Sequence, residues 1–264
     1  MEKTCRIGNH TLSYRRYGNG PAVMLVHGFG EDGSVWEDQA TALAPTHTVL
    51  VPDLPGTGRS EALPDSSMEG MAAALAGLLE AEGAEKATLI GHSMGGYITL
   101  AFAAHYPDRL NAFGLFHSTA FADTSEKKES RRAGIRKIEA EGARTFLEGM
   151  VPGLYAPRTR EADPELIRRH LHSVHNFSGA TLVSYYGSML GRPDRTEVWK
   201  NSPVPVLLVL GREDGIIPVK EGLKLAHMPD LTYIHILNTS GHMGMKEEPE
   251  ESSRVLQRFL MKTI

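Results

Sequence analysis

The chain has 264 residues and a formal net charge of -4, with Lys plus Arg at 28 against Asp plus Glu at 32. That length suits one large domain, or one domain carrying an insertion, better than two independent halves. A single cysteine, Cys5, excludes an intrachain disulfide and a thiolate metal cluster, and the charge balance supplies no global basic field for a nucleic-acid backbone. The polar start, Met1-Glu2-Lys3-Thr4-Cys5-Arg6, lacks the apolar stretch of a secretory signal, and no long apolar run follows. A cytoplasmic location, with neither membrane nor nucleic acid as partner, is expected. Histidine is the unusual entry, with 12 copies to be sorted between chemistry and packing.

In chain order, the first buried strand is predicted at 22–26 and the second at 48–51. A helix follows over 68–82, with Met71, Leu75, Leu78 and Leu79 on one face and Gly83 as its stop. A strand at 87–90 leads into a helix over 93–105, closed by Pro107, and a further strand spans 112–116. Beyond the middle of the chain, strands at 204–210 and 231–237 alternate with helices at 219–226 and 250–261. Each strand candidate is a short β-branched or Leu-rich run bounded by Gly, Pro or Asp, as strands covered on both faces are. The alternation predicts an α/β fold, a parallel sheet with helices on both faces.

Residues 121–199 break the pattern. They hold charged helical stretches at 126–148, 164–175 and 179–190, punctuated by Pro152, Pro157 and Pro193. A connection is usually about 2–6 residues long, so this is read as a helical insertion into a core formed by 1–120 and 200–264. Its apolar residues, among them Ile138, Phe146, Leu147, Leu171 and Leu182, require something to bury against.

The chemistry-bearing motif is Gly91-His92-Ser93-Met94-Gly95-Gly96, between a buried strand and a helix. A turn this tight strains the serine backbone, and glycines on either side let neighbouring backbones approach without a Cβ clash. Serine is a weak nucleophile and needs a general base, which in turn needs an orienting acid. At such an elbow these follow later strands, acid first and histidine second. Asp214 follows the strand at 204–210, and His242 follows the strand at 231–237, so Ser93, Asp214 and His242 are the expected catalytic residues. Glu213 is the competing acid, read as a solvated turn residue.

An oxyanion needs backbone N–H donors aimed at the developing charge. His27-Gly28-Phe29-Gly30 follows the first buried strand, and the expected donors are the amides of Phe29 and Met94. His27 is then a loop-holding histidine and His92 a packing one. The loop at 53–60 lacks the Gly-Lys-Ser/Thr ending of a phosphate cradle, and Asp53 and Arg59 are expected to tie it down. His170, His172 and His175 fall in one helical stretch, but His170 and His172 do not face each other. Packing or solvation is expected there, and neither a metal nor a cofactor is anticipated. Candidate pocket residues are Phe29, Met94, His117, Phe121, Met150, Tyr155, Tyr185, Met189 and Ile217, and the Arg131-Arg132 pair is placed on a solvated helix face.

On these residues, together with the Asp53-to-Ser60 loop, Gly211-to-Asp214 and Gly241-His242, the chain resembles the α/β-hydrolase superfamily over nearly its whole length. The resemblance implies an eight-stranded, mostly parallel sheet whose second strand is antiparallel, with the first two strands at 4–8 and 11–17. It also implies that the insertion is a cap over the sheet. A serine nucleophile is unlike the Asp of haloalkane dehalogenases and epoxide hydrolases. Ser118-Thr119-Ala120 looks most like the esterase and enol-lactonase branch. The implied activity is acyl transfer from a small-molecule ester or lactone through an acyl-enzyme. Carbon–carbon bond hydrolases, cofactor-free perhydrolases and slow-turnover small-molecule receptors of the same fold are the alternatives. Monomer and homodimer both stay open.

Overall fold

The computed structural model describes residues 1–263. The chain opens with a hairpin, β1 (Glu2–Ile7) against β2 (His10–Tyr17), whose turn uses Gly8 at φ 58. There follow β3 (Ala22–Val26), α1 (Glu37–Leu43), β4 (Thr48–Pro52), α2 (Met68–Ala81), β5 (Ala87–His92), α3 (Met94–His105) and β6 (Leu110–Phe116). Then come five helices: α4 (Ser125–Met150), α5 (Pro157–Ala162), α6 (Pro164–Ser173), α7 (Gly179–Gly191) and α8 (Thr196–Lys200). The chain closes with β7 (Val206–Gly211), α9 (Val219–Gly222), β8 (Thr232–Leu237), α10 (Gly244–Glu247) and α11 (Pro249–Leu260).

The eight strands form one sheet in the order β1-β2-β4-β3-β5-β6-β7-β8. β2 runs antiparallel to β1 and β4, and every other pairing is parallel. This is the sheet the resemblance implied. Every residue of β3, β4, β5 and β7 is buried, because both faces are covered. On one face α2, α3 and α8 bring Leu75, Leu78, Ile98, Phe102 and Trp199 against Phe113 and Leu208. On the other, α1 and α11 bring Leu43, Leu256 and Phe259 against Val23, Leu25 and Phe116.

Several bounds differ from expectation. β7 starts after Pro205, which has no N–H to give to a ladder. The helix expected over 219–226 is α9 continued by a 3-10 turn, Leu223–Leu225. α1 has no counterpart in the predicted elements; it follows a 3-10 turn, Gly33–Trp36, capped by Asp32, whose carboxylate accepts from Ser34 N at 2.7 Å. α4 breaks at Gly142 (φ 86, ψ 161), a conformation open to glycine, and the break turns Phe146 and Leu147 into the core.

α7 is tied to the loop after β4. Tyr185 Oη donates to Pro55 O at 2.8 Å and Thr181 Oγ1 to Gly56 O at 3.2 Å. α4 lies on α7, with Gly134 against the Tyr186 ring, 2.6 Å from where a Cβ would stand. No helix among the described residues is long and apolar enough to cross a membrane.

α3 enters hard against the end of β3. A Cβ on Gly95 would lie 2.4 Å from Val26 O and 2.5 Å from His27 O, both backbone atoms in buried structure. Gly95→Ala is therefore expected to cost about 3 kcal/mol of stability, read as a lower urea midpoint; an unchanged midpoint would show that α3 has room to move.

Candidate active site

Ser93 joins β5 to α3 at φ 50, ψ -116, and with His117 (φ 49) it is one of two non-glycine residues with positive φ among the described residues. Backbone contacts hold it there. Its N–H donates to Phe116 O at 3.0 Å, and Ser118 Oγ donates to its carbonyl at 2.7 Å. Gly91 makes room for the turn: a Cβ there would sit 2.2 Å from Gly95 O. Ser93 keeps partial exposure in an otherwise buried turn.

Asp214 and His242 lie beyond the ends of β7 and β8, both buried. Asp214 Oδ1 accepts from the amides of Ile216 at 2.8 Å and Ile217 at 2.9 Å. Its Oδ2 receives His242 Nδ1 at 2.8 Å and His117 Nδ1 at 3.0 Å. An ionised carboxylate only accepts, so both Nδ1 atoms carry the proton. His242 N–H donates to Leu154 O at 2.7 Å, which fixes the loop that carries the ring. Glu213 turns away and pairs with Arg158 at 2.8 Å.

Ser93 and His242 border one cavity of about 340 Å³. Phe29, Met150, Leu154, Tyr186, Met189 and Ile216 form its apolar wall, and Glu31, Tyr97, Lys127, Ser130 and Arg131 its polar side. Phe29 stacks on Tyr186 at 4.2 Å. Met94 opens α3, where the first N–H groups have no intrahelical partner. Of the other expected pocket residues, Met150 and Met189 line the cavity. Tyr155 faces a separate groove of about 460 Å³ with His170. Tyr185 and Ile217 are buried, and their neighbours Tyr186 and Ile216 face the cavity instead. Phe121 packs into the core and His117 sits behind the cavity on Asp214.

The scaffolding histidines are well defined. His27 Nδ1 lies 2.9 Å from Gly28 O, and its Nε2 accepts from Leu54 N at 2.9 Å, so it ties the loop after β3 to the loop after β4. Arg59 pairs with Glu2 at 3.0 Å rather than with Asp53, which instead takes Arg15 at 3.2 Å and Gly33 N at 3.1 Å. In the helical segment His170 is buried on Tyr155 Oη at 2.9 Å, while His172 and His175 stack on each other at the surface, 5.1 Å apart. Arg131 is not on a solvated face: with Arg192 it grips buried Asp123, and the Arg192 guanidinium lies 3.8 Å over the Tyr97 ring.

One participant was absent from the sequence reading, and it gives His92, read there as a packing residue, its partner. Glu31, buried beside the cavity, accepts from Gly28 N at 2.8 Å and holds His92 Nδ1 at 3.0 Å. His92 Nε2 in turn meets the backbone carbonyl of His242 at 2.9 Å. Burial alone depresses a histidine, but the Glu31 carboxylate more than offsets it and His92 is raised. Burial pushes His117 the other way, down to about 4, despite Asp214. Burial also disfavours the charge on Asp214, but His242 and His117 outweigh it and hold the carboxyl well below the usual carboxylate range. His117, Asp214 and His242 each bring one nitrogen or oxygen within 4.8 Å of the others, a spacing that the two hydrogen bonds on Oδ2 account for.

A family model described as "Alpha/beta hydrolase family" matches residues 23–255. The chain is 28% identical to the 2-hydroxy-6-oxo-6-phenylhexa-2,4-dienoate hydrolase of Comamonas testosteroni, over 96% of this chain and 92% of that one. Among solved structures, a thermophilic esterase from Thermogutta terrifontis with malate bound superposes at a TM-score of 0.93 with 32% identity, covering 100% of this chain and 99% of that one. The enol-lactonase from Burkholderia xenovorans LB400 has the same fold, with a TM-score of 0.90, 23% identity and coverage of 98% and 100%.

The His117 shift has a thermodynamic consequence. Its ring protonates near 6.5 when unfolded and near 4 when folded. Between those values the unfolded chain binds the proton more readily, so stability falls as the pH drops through that window and is unaffected above it. His117→Asn removes this dependence. Between about pH 7.5 and about pH 5 the parent is expected to lose about 2 kcal/mol more than the variant in urea titrations; equal losses would contradict the assignment.

Proposed function

The chain belongs to the alpha/beta hydrolase family, and within it we propose a serine hydrolase that cleaves a small-molecule carboxylic ester or lactone. One observation carries the reading: Ser93, strained at φ 50, borders the same cavity as His242, whose Nδ1 is held by Asp214. The esterase relative at 32% identity supports the ester class. The cavity volume, about 340 Å³, lies in the usual range for small ligands.

In this reading His242 Nε2 takes the Ser93 proton as Ser93 Oγ attacks the carbonyl carbon. The negative charge passes to the carbonyl oxygen, which the amides of Phe29 and Met94 receive. Asp214 keeps the imidazole in the Nδ1–H tautomer and stabilises its charged form. His242 then gives the proton to the leaving alcohol. Water, activated by the same imidazole, opens the acyl-enzyme and restores Ser93. Segment 121–199 acts as a cap on a core of 1–120 and 200–264; Lys127, Ser130, Arg131, Met150, Leu154, Tyr186 and Met189 are its contributions to the cavity wall.

A second reading, carbon–carbon bond hydrolysis with the same residues, is favoured by the names of several relatives at 27–28% identity. Turnover of p-nitrophenyl esters against a 2-hydroxy-6-oxo-dienoate separates the two. Ester turnover at least about 100-fold faster in kcat/KM supports the first reading, and the reverse ranking supports the second. In either case Ser93→Ala is expected to lose about 10⁴-fold or more in kcat with its melting curve unchanged. Parental activity in that variant would refute the serine mechanism.

A further inference from the structure

Asp214 has more donors than a catalytic acid needs. Two amides fill Oδ1, and two imidazoles share Oδ2. The second imidazole, His117, comes from the end of β6 and is fully buried. Its backbone is held at φ 49, a strained conformation for a residue of this kind, with its N–H on Val209 O at 2.8 Å. Its far edge is packed against backbone. A Cβ on Gly244 would lie 2.3 Å from Nε2, and one on Gly211 would lie 2.6 Å from Cε1. Nε2 has no hydrogen-bond partner. A proton there would find no acceptor, so the ring is confined to the neutral Nδ1–H tautomer.

We propose that His117 is a positioning residue: its Nδ1–H holds Asp214 Oδ2 beside His242 and lowers the pH at which His242 becomes free to act as a base. The inference rests on the reading of Ser93, His242 and Asp214 as nucleophile, base and orienting acid. Its physical basis is a shared acceptor. A neutral donor on Oδ2 stabilises the carboxylate without adding a positive charge, and it draws off part of the negative potential that would otherwise hold a proton on His242. It also leaves the carboxylate no free lone pair, so Asp214 cannot rotate out of line. The cost is one bare, buried ring nitrogen and one strained backbone, which a packing residue would not require.

The other titratable groups facing His242 are His92 from β5, with Glu31 behind it, Tyr97 from α3, Glu247 from α10, and Lys127 and Arg131 from α4 across the cavity. All stay in place when position 117 alone is changed. The test compares the parent with His117→Asn, whose side-chain amide still offers a donor and tolerates positive φ, and with His117→Ala, which offers none. Two rates are followed against pH: kcat/KM for a p-nitrophenyl ester, and covalent labelling of Ser93 by a fluorophosphonate.

The acid limb of both profiles is expected to move up by about one pH unit in His117→Ala, with kcat reduced about tenfold. In His117→Asn the limb stays within about 0.3 unit of the parent. A folded His117→Ala protein with the parental limb overturns the inference, as does an Asn variant shifted as far as Ala. If Ser93 is not labelled in the parent, the triad reading fails and takes the inference with it; labelling with an unmoved limb removes the inference alone. Should His117→Ala not fold, the parent and His117→Asn decide. Nitrogen-15 spectra at neutral pH are expected to show, beside His242, a second buried histidine with a protonated Nδ1 and a bare Nε2, lost in His117→Asn. An Nε2–H tautomer or an imidazolium at that position would overturn the proposal.

Discussion

The close approach of three backbones at the start of α3 is the constraint on which the site depends. Gly91 faces Gly95 O, Gly95 faces the last carbonyls of β3, and Gly28 faces the Ser93 side chain, with no space for a Cβ at the first two. The helix is driven into this position by burial: Ile98, Leu100 and Phe102 are sealed against the sheet and α2. A turn so short leaves Ser93 at positive φ, a strain of about 1–3 kcal/mol that persists only where the surroundings impose it. Here they do, through Phe116 O and Ser118 Oγ at the end of β6. The nucleophile candidate is therefore positioned by three neighbouring strands rather than by its own loop.

Behind the cavity lies a buried cluster of three imidazoles and two carboxylates. His92 and His117 flank His242 with ring centroids 4.9 and 5.8 Å away. They are the same residue type, equally buried, yet their proton affinities diverge. His92 has a carboxylate, Glu31, that no other imidazole shares, and a backbone carbonyl for its second nitrogen. His117 shares its carboxylate with His242 and has nothing at Nε2. The number of acceptors per imidazole, rather than depth, separates the two. Removing His92 would leave the buried Glu31 carboxylate with only the Gly28 amide, which is costlier than never having built the pair.

The helices between β6 and β7 are anchored by polar contacts as much as by packing. Asp123 collects Arg131 and Arg192, and Arg192 covers Tyr97 at the cavity edge. Tyr185 and Thr181 hold α7 to the loop after β4. The cavity wall is in this way connected to two separate strand ends of the sheet.

The α/β alternation, the turn around Ser93 and the placing of Asp214 and His242 after later strands were all legible in the sequence. Each is written in local terms: runs of β-branched residues, glycines at fixed spacing, and a histidine or acid just past a strand. The same local rules missed α1, which has no side-chain cap of its own and continues a 3-10 turn, and the break in α4, because Gly142 interrupts a good helical pattern. What only the tertiary structure decided is who meets whom across the chain. Glu31 reaches His92 over 61 residues and His117 reaches Asp214 over 97, and no periodicity records such pairs. The facing of the cavity by Tyr186 and Ile216, rather than by Tyr185 and Ile217, depends on how each segment is rotated as it packs. Sequence determines which elements form and in what order their reactive groups arrive; packing sets the rotation and register that make those groups neighbours.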